Sequence, residues 1–101
     1  MSIDLETKII TTTPYNISNS DEVIFVNITS GPASIILPSM GNDGSKKRSY
    51  HIKDYSGTSG VNPITITAAG GKTIDGVSFA MLNGSYSYVY IIYDGTNWKT
   101  I

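Results

Sequence analysis

The stretch ITITAAGGKTIDG, residues 64–76, sets Gly70-Gly71-Lys72-Thr73 behind a strand-like run, where the end of a phosphate-binding loop would stand. Such a loop needs a glycine five residues before its Gly-Lys-Thr, so that backbone N–H groups wrap the phosphates, and a helix after it whose N-terminus adds its dipole. The earlier position is Ile66, and Thr73 is followed by IDGVSFAM, an Asp-Gly breaker and a β-branched, aromatic run. GGKT is therefore expected as a turn between strands. His51 is the single histidine, and Asp54 lies three residues on. On a strand the two project to opposite faces, which denies them the relay of a nucleophilic triad. There is no cysteine to serve as thiol nucleophile or zinc ligand. The acids are scattered, and Asp43, Asp75 and Asp94 each precede a glycine, as turn residues do. No carboxylate pair and no metal set is legible, so neither enzymatic activity nor a cofactor is expected.

Aromatic residues are the remaining candidates. Trp98 and seven tyrosines could stack on sugar rings, because their faces are apolar and their polar tips form hydrogen bonds. The same residues are enriched in subunit interfaces. The row Tyr86, Tyr88, Tyr90 and Ile92 reads as core or subunit interface ahead of a sugar site. Trp98, on the terminal strand, reads equally as either.

Seven basic and eight acidic residues among 101 give a net charge of −1, and a charged share of 15% lies below the ~25% of typical domains. The surface must then be built of Ser, Thr, Asn and Gly, and it carries no basic footprint for nucleic acid. The basic run Lys46, Lys47, Arg48 reads as a solvated loop. No apolar run approaches the ~18 residues of a membrane helix, and MSIDLETKII has acids where a signal peptide would be basic and apolar. A soluble chain without membrane insertion is expected.

The elements that must position these residues are short strands punctuated by Gly and Pro. They are predicted at 8–13, 22–27, 34–37, 49–53, 64–67, 77–81, 85–93 and 97–101, with almost no helix, since no window sustains a 3.6-residue apolar period. In PITITA, Ile64 and Ile66 oppose Thr65 and Thr67, the alternation of a strand with one buried face. VIFVNI and SYSYVYIIYD are apolar on both faces, which suggests central strands or a second covering layer. Asp94-Gly95 between apolar runs marks a hairpin turn. The loop Pro38 to Ser49 is expected to be long and mobile. Residues 1–20 read as an N-terminal arm, a partner-swapped strand or a tether, and residues 21–101 as the β-domain. No internal repeat of 20–50 residues is evident.

Taken in order, VIFVNITSGPASIILP, YHIKD, ITITAAGGKTIDG and YIIYDGTNWKTI resemble a β-structured module of phage and large-virus fibre, spike and tail proteins, over about Asp21 to Ile101. The resemblance implies a non-enzymatic, usually homotrimeric part of a virion appendage, acting in assembly or host attachment. It implies an arm that joins other virion proteins. Together these readings predict an all-β antiparallel sandwich or barrel of about eight short strands, forming a homotrimer that covers exposed strand edges. Tyr86, Tyr88, Tyr90 and Ile92 are the candidate subunit interface. Trp98, Asn83, Asp43, Lys46 and Lys47 are the candidate ligand or receptor surface, with a host-surface glycan as a possible partner. The alternative is a monomeric carbohydrate-binding module using Trp98 and the tyrosines.

Overall fold

The computed structural model describes residues 6–40 and 49–101. Nine strands and no helix occur among them: β1 Thr7–Ile10, β2 Tyr15–Asn16, β3 Val23–Val26, β4 Ala33–Ile36, β5 Ser49–Asp54, β6 Ile64–Thr67, β7 Phe79–Leu82, β8 Tyr88–Tyr93 and β9 Trp98–Thr100. Eight of them coincide in part with the predicted strands. The ninth, Tyr15–Asn16, is too short to carry an alternation.

The strands form two sheets, ordered β1-β3-β5-β8-β9 and β2-β4-β6-β7. Their inward residues meet in one apolar cluster that includes Ile24, Ile35, Ile52, Ile66, Ile91 and Trp98, in a sandwich-like arrangement. Alternation places these side chains correctly. In β5 Tyr50, Ile52 and Asp54 are buried, and in β6 Ile64 and Ile66 are.

The expected antiparallel pairing is corrected by the structure. β1, β3 and β5 are mutually parallel, as are β2, β4 and β6, and only β7, β8 and β9 pair antiparallel. Up to β6 the chain crosses from one sheet to the other after every strand. Two crossings restore the original direction, so each new strand lies parallel to the one laid down two earlier. Side-chain alternation is the same for either direction of pairing, because it depends on the pleat alone.

Residues 6–20, part of the expected arm, pack with the rest of the chain. β1 and β2 each form one edge of a sheet, and Ile10 and Ile17 are buried in the core. The turns follow their glycines. Asp75 (φ 50°) and Gly76 (φ 87°) close a two-residue hairpin between the bridged Ile74 and Val77, the geometry of a type I′ turn. Asp94-Gly95 instead opens a four-residue loop, in which the Asp94 carboxylate accepts the N–H groups of Thr96 and Asn97 at 2.8 and 2.9 Å.

Candidate functional site

Gly70 and Gly71 both have positive φ, 68° and 75°, and the Lys72 N–H reaches back to the Ala69 carbonyl at 3.3 Å. GGKT is a turn, and no helix follows it. His51 is exposed on the outer face of β5 while Asp54 points into the protein, so the two lie on opposite faces as expected. The His51 ring stacks on Tyr90, with centroids 4.0 Å apart and planes within 19°.

Asp54 was not singled out by its sequence for any role other than that relay, yet it organises one end of the five-stranded sheet. Its residue is 1% exposed. One carboxylate oxygen accepts the Ser56 hydroxyl at 3.2 Å and the Gly57 N–H at 3.1 Å, and the other accepts the N–H groups of Ser59 and Tyr86, each at 3.0 Å. Burial by itself would raise the carboxyl, but the donors from Ser59, Tyr86 and Gly57 outweigh it and hold the group down at about 2. The loop after β5 and the loop before β8 are thereby tied to one buried charge. The Ser59 hydroxyl adds a bond to the Gly84 carbonyl.

Tyr86 consequently leaves the row it was expected to join. β8 begins at Tyr88, and Tyr86 sits in the loop with φ 59°, its ring against Gly57. A Cβ on Gly57 would come within 2.5 Å of that ring. The residue is 58% exposed.

Tyr88, Tyr90 and Ile92 do share the outer face of the five-stranded sheet. The register sets Ile9, Phe25, Lys53 and Tyr88 side by side in one row, and Thr7, Val23, His51 and Tyr90 in the next. Ile92 stands beyond them, between Ser49 and Lys99. Ile9 and Tyr88 are exposed, and Val23, Phe25, Tyr90 and Ile92 are half-buried. The Lys53 ammonium lies 5.4 Å from the Tyr88 ring centroid and donates to the Tyr86 carbonyl at 2.6 Å. Tyr55, also exposed, is tilted against Phe25 at 5.9 Å.

Trp98 is corrected as a ligand-stacking residue. It is fully buried, packed between Tyr93 at 5.1 Å and Tyr50 at 6.0 Å. The four-residue hairpin loop sets Trp98 opposite Tyr93, on the inward face of the sheet, and the Ile74 bridge covers its outer edge. Asn83 is exposed, next to the Asp54-bound loops. Asp43, Lys46 and Lys47 lie outside the described residues, as does most of the loop expected between Pro38 and Ser49.

A second polar arrangement closes residues 15–21. The Tyr15 hydroxyl donates to Asp21 at 2.6 Å, as does the Ser18 N–H at 2.9 Å, beneath the Lys8 ammonium 5.3 Å from the Tyr15 ring. An open groove of about 560 Å³ runs beside it, lined by Glu6, Thr7, Lys8, Ser20 and Asp21. Tyr15 and Ser18 engage the Asp21 carboxylate and Lys8 lies over the Tyr15 ring, which makes the arrangement a tie between edge strands. Neither a protein-family model nor any curated protein matches this chain.

Proposed function

We propose that the chain is a non-enzymatic structural component of a virion, a small fibre, spike or decoration protein that assembles as a homotrimer and acts in assembly or host attachment. The observation that carries this reading is the outer face of the five-stranded sheet. There Val23 and Phe25 on β3 and Tyr90 and Ile92 on β8 stand to either side of Ser49, His51 and Lys53 on β5, with Ile9 exposed at the margin. A solvent-facing sheet is ordinarily polar, and half-buried aliphatic and aromatic side chains on two strands of such a face support a role in association. Copies of the same chain are the partner this reading assigns, because closed symmetry buries such a face in every subunit at once. The resemblance of the ordered motif set to virion-appendage modules supports the viral setting. Residues 7–16 form an edge strand of each sheet, so contact with other virion proteins is proposed through that edge. The alternative of a monomeric sugar-binding module loses its central residue with the burial of Trp98.

Absolute mass by light scattering during size-exclusion chromatography, at micromolar concentration, tests the assembly. The expected value is about three times the 10.9 kDa of one chain, falling to one chain in a Tyr90→Ser, Ile92→Ser double variant. A wild-type monomer would remove the reading's main physical support.

A further inference from the structure

One end of the five-stranded sheet differs from the rest of its outer face. Tyr86, Tyr88 and Tyr55 are 58%, 70% and 49% exposed, whereas Tyr90 and Ile92 are half-buried. Lys53, on β5, pairs with Tyr88 across the sheet and binds the Tyr86 carbonyl, and Tyr55 follows two positions later, just past the strand, against Phe25. The cluster is also held still. The buried Asp54 carboxylate clamps both loops, and Tyr86 keeps a left-handed backbone that β-strands and most side chains avoid. A bulky aromatic maintained in that conformation, with its ring against Gly57 and still open to solvent, is displayed by the fold.

We infer that Tyr86, Tyr88 and Lys53 form a glycan-binding shelf that stacks a carboxylated pyranose. It rests on the attachment role proposed above and assigns that role a place and a ligand class. Three such rings expose on the order of a few hundred Å², too little for the ~800 Å² per partner of a stable protein interface. That area suits one or two sugar rings, whose C–H faces lie on aromatic faces while their hydroxyls meet the tyrosine hydroxyls. Lys53 decides the charge. Its ammonium spends one donor on the Tyr86 carbonyl, and the remaining N–H groups of a lysine suit a carboxylate. The adjacent acid, Asp54, faces inward and is already engaged by its own donors.

The test is an array of immobilised sialylated, uronic-acid-containing and neutral glycans probed with the full chain, followed by calorimetric titration of the best-retained glycan. Carboxylated glycans are expected to bind above their neutral counterparts. Tyr88→Ala and Tyr86→Gly should each weaken binding about tenfold, and Lys53→Met should abolish the preference for the carboxylate. Tyr86→Gly is the sharpest variant, because glycine adopts the left-handed backbone freely and preserves both backbone hydrogen bonds, so the fold persists while the ring is lost. Unchanged melting temperature and mass in these variants would separate the shelf from the subunit contact. Absence of any retained glycan, equal binding of neutral ones, or wild-type affinity in the variants overturns the assignment. If Tyr88→Ala dissociates subunits instead, Tyr88 belongs to the assembly face, which supports the trimer and overturns the shelf. Glycan binding by a monomer would leave the shelf standing and the assembly refuted.

Discussion

The Asp54 carboxylate is buried, and four donors from two loops stand in for water. Its folded-state value of about 2 lies below the ordinary 3.8. The charged form therefore favours the fold, by roughly 2 kcal/mol. That contribution is complete above pH ~4 and is lost as the pH falls toward 2. Tyr50 bounds the other side: burial, with the charge of Asp21 adding to it, pushes its hydroxyl up to about 12. The neutral phenol favours the fold, fully below pH ~10 and decreasingly as the pH rises toward 12. Denaturant midpoints measured from pH 2 to 11 should show both losses, and Asp54→Asn should flatten the acid limb. An unchanged acid limb in that variant would refute the role given to Asp54. Gly57 makes a second prediction here. Gly57→Ala combines a φ of 79° with a clash against Tyr86, and a cost of about 1–3 kcal/mol is expected. Adding Tyr86→Gly should restore part of it, which a double-mutant cycle measures; strict additivity would mean the ring and Gly57 do not interact.

Strands are where the sequence was most legible and where it misled. The faces of β5 and β6 followed directly from alternation, because a buried face enforces register. The direction of pairing did not, since an Ile-x-Ile pattern is identical in parallel and antiparallel neighbours. β2 went unread because two residues have no period, and the Thr triplet and Pro14 around it resemble an irregular arm. Trp98 read equally as core or as a sugar platform, because residue type and a terminal strand do not say which face it takes. The hairpin loop pairs it with Tyr93, and Ile74 then covers its outer edge. Tyr86 was read as strand because nothing in its residue type announces a left-handed backbone, and only the Asp54 bond explains it. The assignment of residues 6–20 to the fold has its own test. Ile10 is 4% exposed, and Ile10→Ala should destabilise by about 2–4 kcal/mol. A free tether would show no change in chemical denaturation.

For the whole molecule, the alternate placing of successive strands has a consequence for how fast it forms. Thr7 meets Val23, Val23 meets His51, Ala33 meets Ile64 and Ser49 meets Ile92, so most of the pairing joins distant parts of the chain. Only β8 with β9 closes over a short loop, of four residues. Each distant pair requires loop-closure entropy to be spent before its contacts are gained, so refolding should take milliseconds to seconds despite the small size. Stopped-flow refolding followed by the fluorescence of the single tryptophan, Trp98, would report it, because that ring is buried only after β9 docks. A microsecond phase carrying the full amplitude would contradict this order of events. Until the two sheets close, their inward apolar faces and unpaired strands are open to neighbouring chains. On this account, a rise in protein concentration speeds productive association and off-pathway aggregation together, and the balance between them is set during folding.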